Sequence, residues 1–219
     1  VAARLEQAAQ PGEILIGEAS FALVREAVQV EALEPLELKG KAEPVPAFRL
    51  VAVGGEATRR HDVAMVGRER ELQALRDAFA RAEGDRSCQL FTVLGTAGVG
   101  KSRLAYEFLN GLDAQVVRGR CLSYGEGITY WPVVEALKQL DALPSDPAAA
   151  ASLRSLLRET EESTSAEEIA WAFRKLLEEQ APLVVVFDDI QWGEETFLDL
   201  VEQLALLSRA PILVVCLAR

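Results

Sequence analysis

The run Gly95-Thr96-Ala97-Gly98-Val99-Gly100-Lys101-Ser102 constrains this chain more than any other stretch. It matches GxxxxGK[ST] at every fixed position. It falls between an apolar, strand-like run from Gln89 to Leu94 and a helical pattern from Lys101 to Leu112. Glycines let the backbone curl until successive N–H groups point at one anion, and the following helix adds its positive N-terminal end. Lys101 supplies a mobile cation for the β- and γ-phosphates, and the Ser102 hydroxyl is placed to coordinate magnesium. The residues from Gly95 to Ser102 are therefore candidate ATP contacts, with Lys101 also a catalytic candidate and Ser102 a metal ligand. At average residue frequencies, a chance match in a chain this long has a probability on the order of one per cent.

A second element follows further along. Leu183-Val184-Val185-Val186-Phe187 is a buried-strand run that ends in Asp188-Asp189. At the carboxyl end of a neighbouring parallel strand, Asp188 would face the phosphate loop and hold the magnesium shell. Asp189 can then orient or deprotonate the attacking water. An apolar run ending in two aspartates is also a common helix-cap pattern. Its place after a phosphate loop makes it a Walker B element.

Around these motifs, apolar strands alternate with helices, at Arg68 to Ala82, Gln115 to Gly119, Glu195 to Ser208 and Ile212 to Leu217. That alternation predicts an α/β fold, a parallel sheet covered on both faces, over residues 64–219. Residues 1–53 read differently: a helix from Ala2 to Gln10 stopped by Pro11-Gly12, a strand from Glu13 to Ile16 and a helix from Glu18 to Glu26. Alternating runs from Val28 to Leu38 and from Val45 to Val53 then flank Lys39-Gly40-Lys41 and predict a hairpin. The polar stretch at 54–63 reads as a linker between this small α/β remnant and the larger domain.

The 219 residues carry 34 acids against 23 bases, a formal net charge of -11. Such a chain repels phosphate backbones and shows no basic patch, which argues against nucleic-acid binding by this stretch. Cys88, Cys121 and Cys216 form no paired motif and read as reduced core residues of a cytoplasmic protein. No apolar run approaches the ~20 residues that span a bilayer. The chain opens on Val1 with a helical pattern under way, as a piece of something longer would.

From Met65 onward the chain resembles the AAA-related signal-transduction ATPases with numerous domains. Val66-Gly67-Arg68-Glu69-Arg70-Glu71 is similar to the opening segment of that family, and Asp188-Asp189-Ile190-Gln191-Trp192 to its extended Walker B. The resemblance implies that Gly67 and Arg68 lie near adenine and ribose. It also implies that Arg219, after the strand Ile212 to Leu217, senses the γ-phosphate. Trp192 and the aromatics of Tyr124 and Tyr130-Trp131-Pro132 read as packing residues, and Arg103 as facing solvent or pairing with an acid. The helical lid and second sensor of such ATPases are not seen here, and a sheet of about four strands, without its last strand, is expected.

The first fifty residues resemble the end of a class III adenylate or guanylate cyclase catalytic domain. The likeness runs from Val1-Ala2-Ala3-Arg4-Leu5-Glu6-Gln7-Ala8 through Pro11 to Ile16 and Leu38-Lys39-Gly40-Lys41 to Phe48-Arg49-Leu50. It implies that Arg4 contacts ribose and the reacting phosphate, that Lys39 touches the nucleotide phosphates, and that two copies pair through this domain. The two aspartates that hold the cyclase metals do not lie in this stretch, so cyclase activity is not expected of it. Together these features imply a Mg-ATP-binding regulatory module with slow hydrolysis, acting on other domains of the same polypeptide (a cyclase domain, and helical repeats further on). A non-hydrolysing scaffold and the ATPase module of a transcription regulator are the alternatives.

Overall fold

Five successive apolar residues in Leu183–Asp188 leave no polar face to turn to water, so that strand must be covered on both sides. In the computed structural model it is. Residues 2–10, 12–25, 28–36, 44–53, 65–123, 129–157 and 164–219 are described. They form two compact units, Val1–Ala64 and Met65–Arg219.

The second unit runs α3 (Glu69–Asp85), β4 (Cys88–Leu94), α4 (Lys101–Leu109), β5 (Gln115–Arg120), α5 (Trp131–Leu140), α6 (Pro147–Leu156), α7 (Ala166–Gln180), β6 (Leu183–Asp188), a single 3-10 turn (Ile190–Trp192), α8 (Glu195–Leu207) and β7 (Ile212–Ala218). Its sheet has the order β4-β7-β6-β5 with every pair parallel. Alternate residues of each strand feed opposite layers. Val185, Phe187, Ile212, Val214 and Cys216 pack with Leu137, Leu153, Phe173 and Phe197, from α5 to α8. Val184, Val186, Leu213, Val215 and Leu217 pack with Leu75, Phe79, Leu104 and Phe108 of α3 and α4. Each large apolar side chain fully buried in this way contributes about 1.5–3 kcal/mol.

One expectation needs correction. The strand bearing Asp188 is not the neighbour of the strand that leads into the phosphate loop, because β7 lies between β4 and β6. Two strand spacings separate them, about 10 Å. All strands still run in one direction, so the loop after β4, the acids ending β6 and Arg219 after β7 share one end of the sheet.

The outer edge of β5 is covered by side chains of α5. The Gln139 amide accepts from Arg118 N–H at 2.9 Å and donates to Arg118 O at 2.6 Å, and Glu135 accepts from Arg120 N–H at 2.7 Å. These bonds occupy backbone groups of Arg118 and Arg120 that an edge strand would otherwise present to another chain. Gly119 lies beneath, where a Cβ would meet Pro132 O at 2.3 Å.

Helix ends follow local chemistry. α3 continues past Ala82 to Asp85 and stops where Arg86 turns left-handed at φ 49, and α4 ends at Leu109, short of Leu112. α7 starts on a reciprocal capping box between Ser165 and Glu168. Ser165→Ala removes the side-chain acceptor for Glu168 N–H and is expected to lower stability by about 1 kcal/mol, read as a shift of the urea midpoint.

The cysteines are free and buried, and burial pushes their thiols up to about 12. Trp192 is 49% exposed rather than packed away. Trp131 lies at the surface under Lys138, whose Nζ is 5.5 Å from the ring centroid, while Pro132 is buried. Tyr124 lies outside the described residues. Among the described residues, no helix is long and apolar enough to cross a membrane.

The first unit contains α1 (Ala2–Ala8), β1 (Leu15–Gly17), α2 (Glu18–Val24), β2 (Val28–Ala32) and β3 (Ala47–Val53), its antiparallel sheet ordered β1-β3-β2. The expected hairpin is present as β2 and β3, extended by the Leu36–Val45 bridge, while Lys39-Gly40-Lys41 lies outside the described residues. The expected linker does too. Leu5 and Ala47 form a small core with Leu15, Leu36 and Val45.

Candidate functional site

The phosphate loop leaves β4 at Leu94 and becomes α4 at Lys101. Its first residue is fastened to the sheet, Gly95 N–H donating to Ala218 O at 3.3 Å. The curl then needs positive φ at two points, Gly98 at 80° and Gly100 at 97°, where a side chain would be strained. Gly100 precedes the helix, and no side chain caps it. The opening N–H groups of α4 are thus available to an anion, with the helix dipole behind them. Thr96, Ala97 and Val99 complete the loop, Val99 N–H donating to Thr96 O at 3.4 Å.

Lys101 folds back over this loop. Its Nζ donates to Gly95 O at 2.7 Å and to Thr96 O at 3.1 Å, so the ammonium is held at the rim by the loop's own carbonyls. Ser102 follows on the first turn of α4. Arg103, one place on, pairs with Glu107.

Gly67 and Arg68 immediately precede α3. Gly67 N–H donates to Glu69 Oε1 at 3.1 Å. Arg68 holds Glu71 Oε1 at 2.7 Å and reaches Val99 O at 3.5 Å, which ties this segment to the phosphate loop. A cavity of about 400 Å³ opens there, lined by Arg68, Ala74, Phe91, Val99, Lys101 and Leu104. Its size and its mix of apolar walls with charged rim suit a small organic ligand.

The acids lie across β7. Asp188 ends β6, and its Oδ1 accepts the N–H of Asp189 at 2.8 Å. Asp189, whose side chain is 15% exposed, is held more tightly. Arg120 donates to Asp189 Oδ2 from Nη2 at 2.7 Å and from Nε at 3.1 Å, and Gln191 Nε2 donates to Oδ1 at 3.0 Å. Arg219 Nε stands 3.9 Å from Oδ1. Burial acts to raise the Asp189 pKa, but hydrogen bonds from Arg120 and Gln191 and the charges of Arg120 and Arg219 outweigh it and hold the carboxyl below its ordinary value. The same bond raises the Arg120 guanidinium above its own.

Arg120 and Gln191 were not singled out by sequence reasoning. Arg120 lies opposite Asp188 in the β5–β6 register, a relation that becomes visible only once the strands are paired. Gln191 follows Asp189 by two positions, and that local spacing was the available signal. Arg4, from the cyclase-like start, is exposed on α1, and Lys39 lies outside the described residues.

A parallel sheet with a phosphate loop after one strand and an acid pair after another, β7 interposed, is the frame of a P-loop NTPase. Within that class, the family model of the AAA ATPase domain matches residues 64–215, and the chain belongs to that family. The comparison with curated proteins gave no match.

Proposed function

We propose that residues 65–219 bind Mg-ATP and hydrolyse it slowly, and that the change of nucleotide repositions other parts of the same polypeptide. Its strongest support is the complete phosphate loop, delivered by β4 onto the uncapped N-terminus of α4. In this proposal the backbone from Gly95 to Ser102 cradles the phosphates, and Lys101 leaves the carbonyls of Gly95 and Thr96 to meet the β- and γ-phosphates. Adenine and ribose occupy the cavity beside Gly67 and Arg68. Ser102 and Asp188 hold the magnesium; a hydroxyl and a carboxylate are the hard oxygen donors that ion takes, alongside phosphate and water. Bound there, magnesium neutralises charge on the phosphates. Asp189 orients the attacking water, and Arg219 senses the γ-phosphate from the end of β7.

The signalling context rests on the first unit. The cyclase-like run around Arg4 and Lys39 supports placing a class III cyclase domain on the same polypeptide, paired with a second copy. Formation of cyclic nucleotide by the full-length protein tests it.

One observation favours a second reading, a scaffold that binds ATP without hydrolysing it. Both oxygens of Asp189 already accept hydrogen bonds, from Arg120 and Gln191. Steady-state phosphate release separates the two, since a scaffold gives a flat time course with ATP bound.

Binding itself is tested through Lys101. The charge-assisted hydrogen bonds of one lysine contribute about 1.5–3 kcal/mol, so Lys101→Ala is expected to weaken Mg-ATP about 10- to 100-fold in a calorimetric titration. An unchanged affinity would rule out nucleotide binding at this loop.

A further inference from the structure

A carboxylate that serves an attacking water must keep one orientation, and the backbone at Asp189 does little to ensure it. The residue lies at φ 53 and ψ 38, the left-handed region, where a residue bearing a side chain depends on its surroundings. Those surroundings are unequal. Oδ2 is held by two N–H groups of Arg120, a long side chain that is itself 62% exposed and so leaves that end of the clamp in contact with water. Oδ1 is held by Gln191, a half-buried residue one position past Ile190.

The other end of the same amide is also engaged. Gln191 Oε1 accepts the backbone N–H of Arg219 at 3.2 Å. A carboxylate only accepts and a backbone N–H only donates, so the amide has one possible orientation: NH₂ towards Asp189, oxygen towards Arg219. Position 191 therefore needs a donor and an acceptor at once. Glutamine has both, glutamate lacks the donor, and leucine lacks both.

The bridge does not end at Arg219. Its chain neighbour Ala218 accepts the N–H of Gly95, the first residue of the phosphate loop, at 3.3 Å. A line of contacts thus runs from the loop through Ala218 and Arg219 to Gln191 and the Asp189 carboxylate, across the strand that separates β4 from β6.

We propose that Gln191 is a positioning residue, which ties the Asp189 carboxylate to the backbone leaving β7 so that the two move together when the phosphate loop fills. Its functional weight rests on the hydrolytic reading given above. Its geometry does not.

Three variants of the full-length protein test it. Gln191→Leu and Gln191→Glu are expected to lower kcat about tenfold with KM for ATP within about twofold, a split that lost binding would not produce. Gln191→His, whose neutral ring carries one donor and one acceptor, is expected to return kcat to within about threefold of the parent. Full kcat in Gln191→Leu, or an equal loss in all three, overturns the assignment. Exchange of the Arg219 amide, followed by NMR without nucleotide, reads the bridge independently of turnover. It is expected to quicken about tenfold in Gln191→Leu and to recover in Gln191→His. Equal exchange in the parent and Gln191→Leu removes the bridge. A parent protein that binds ATP but releases no phosphate overturns the hydrolytic reading instead, and amide exchange then decides the bridge alone.

Discussion

Asp189→Asn is expected to cut phosphate release about 100-fold while Mg-ATP affinity stays within about threefold. A positioned carboxylate that takes or directs the proton of water contributes 10²–10⁴ in rate, and an amide cannot take that proton. Asparagine also offers one acceptor oxygen where aspartate offers two. Arg120 and Gln191, which now hold Oδ2 and Oδ1 separately, can no longer both be satisfied. The fold is expected to tolerate the change, because the Arg120 side chain is largely in solvent and such pairs contribute about 0–1 kcal/mol. Single-turnover phosphate release beside a titration separates rate from binding. A rate equal to the parent's would remove Asp189 from the chemistry and leave Asp188 and the phosphate loop as a binding site.

The largest loss of stability is expected from Gly119→Ala, about 3 kcal/mol in a urea unfolding experiment. An added Cβ would sit 2.3 Å from Pro132 O, 2.7 Å from its Cα and 2.8 Å from its carbonyl carbon, and all three are backbone atoms. Neither side can withdraw alone. β5 is registered on β6 from Gln115–Leu183 to Arg120–Asp188, and α5 is bound to the other edge of β5 through Gln139 and Glu135. Relief would have to pull the strand from the helix and carry Arg120, the next residue, away from Asp189. A midpoint unchanged from the parent's would show that α5 shifts more freely than these bonds allow.

Gly119 also marks where sequence reasoning stops. A glycine inside a strand signals a close approach by something, but nothing in Gln115 to Arg120 says that Pro132 is what approaches. The alternation of elements was legible because each helix carries an apolar stripe and each central strand is apolar throughout. The interposition of β7 was not. Val184 to Phe187 and Ile212 to Leu217 are equally apolar, and a strand buried on both faces has no pattern that names its neighbours. Hence the acids were expected on the strand next to β4 and stand one strand further away.

By itself, the sequence determined the phosphate loop and the pair Asp188-Asp189. The loop's chemistry is local, since positive-φ glycines, a lysine and a hydroxyl at the head of a helix are contiguous in the chain and need only a strand before them and a helix after. The tertiary structure alone decided what surrounds the acids. Arg120 reaches Asp189 from a strand far back in the chain, and Gln191 joins Asp189 to Arg219 across the end of the sheet. Those contacts depend on strand order and register, which crossover connections and packing of both sheet faces set. No periodicity along the chain encodes them.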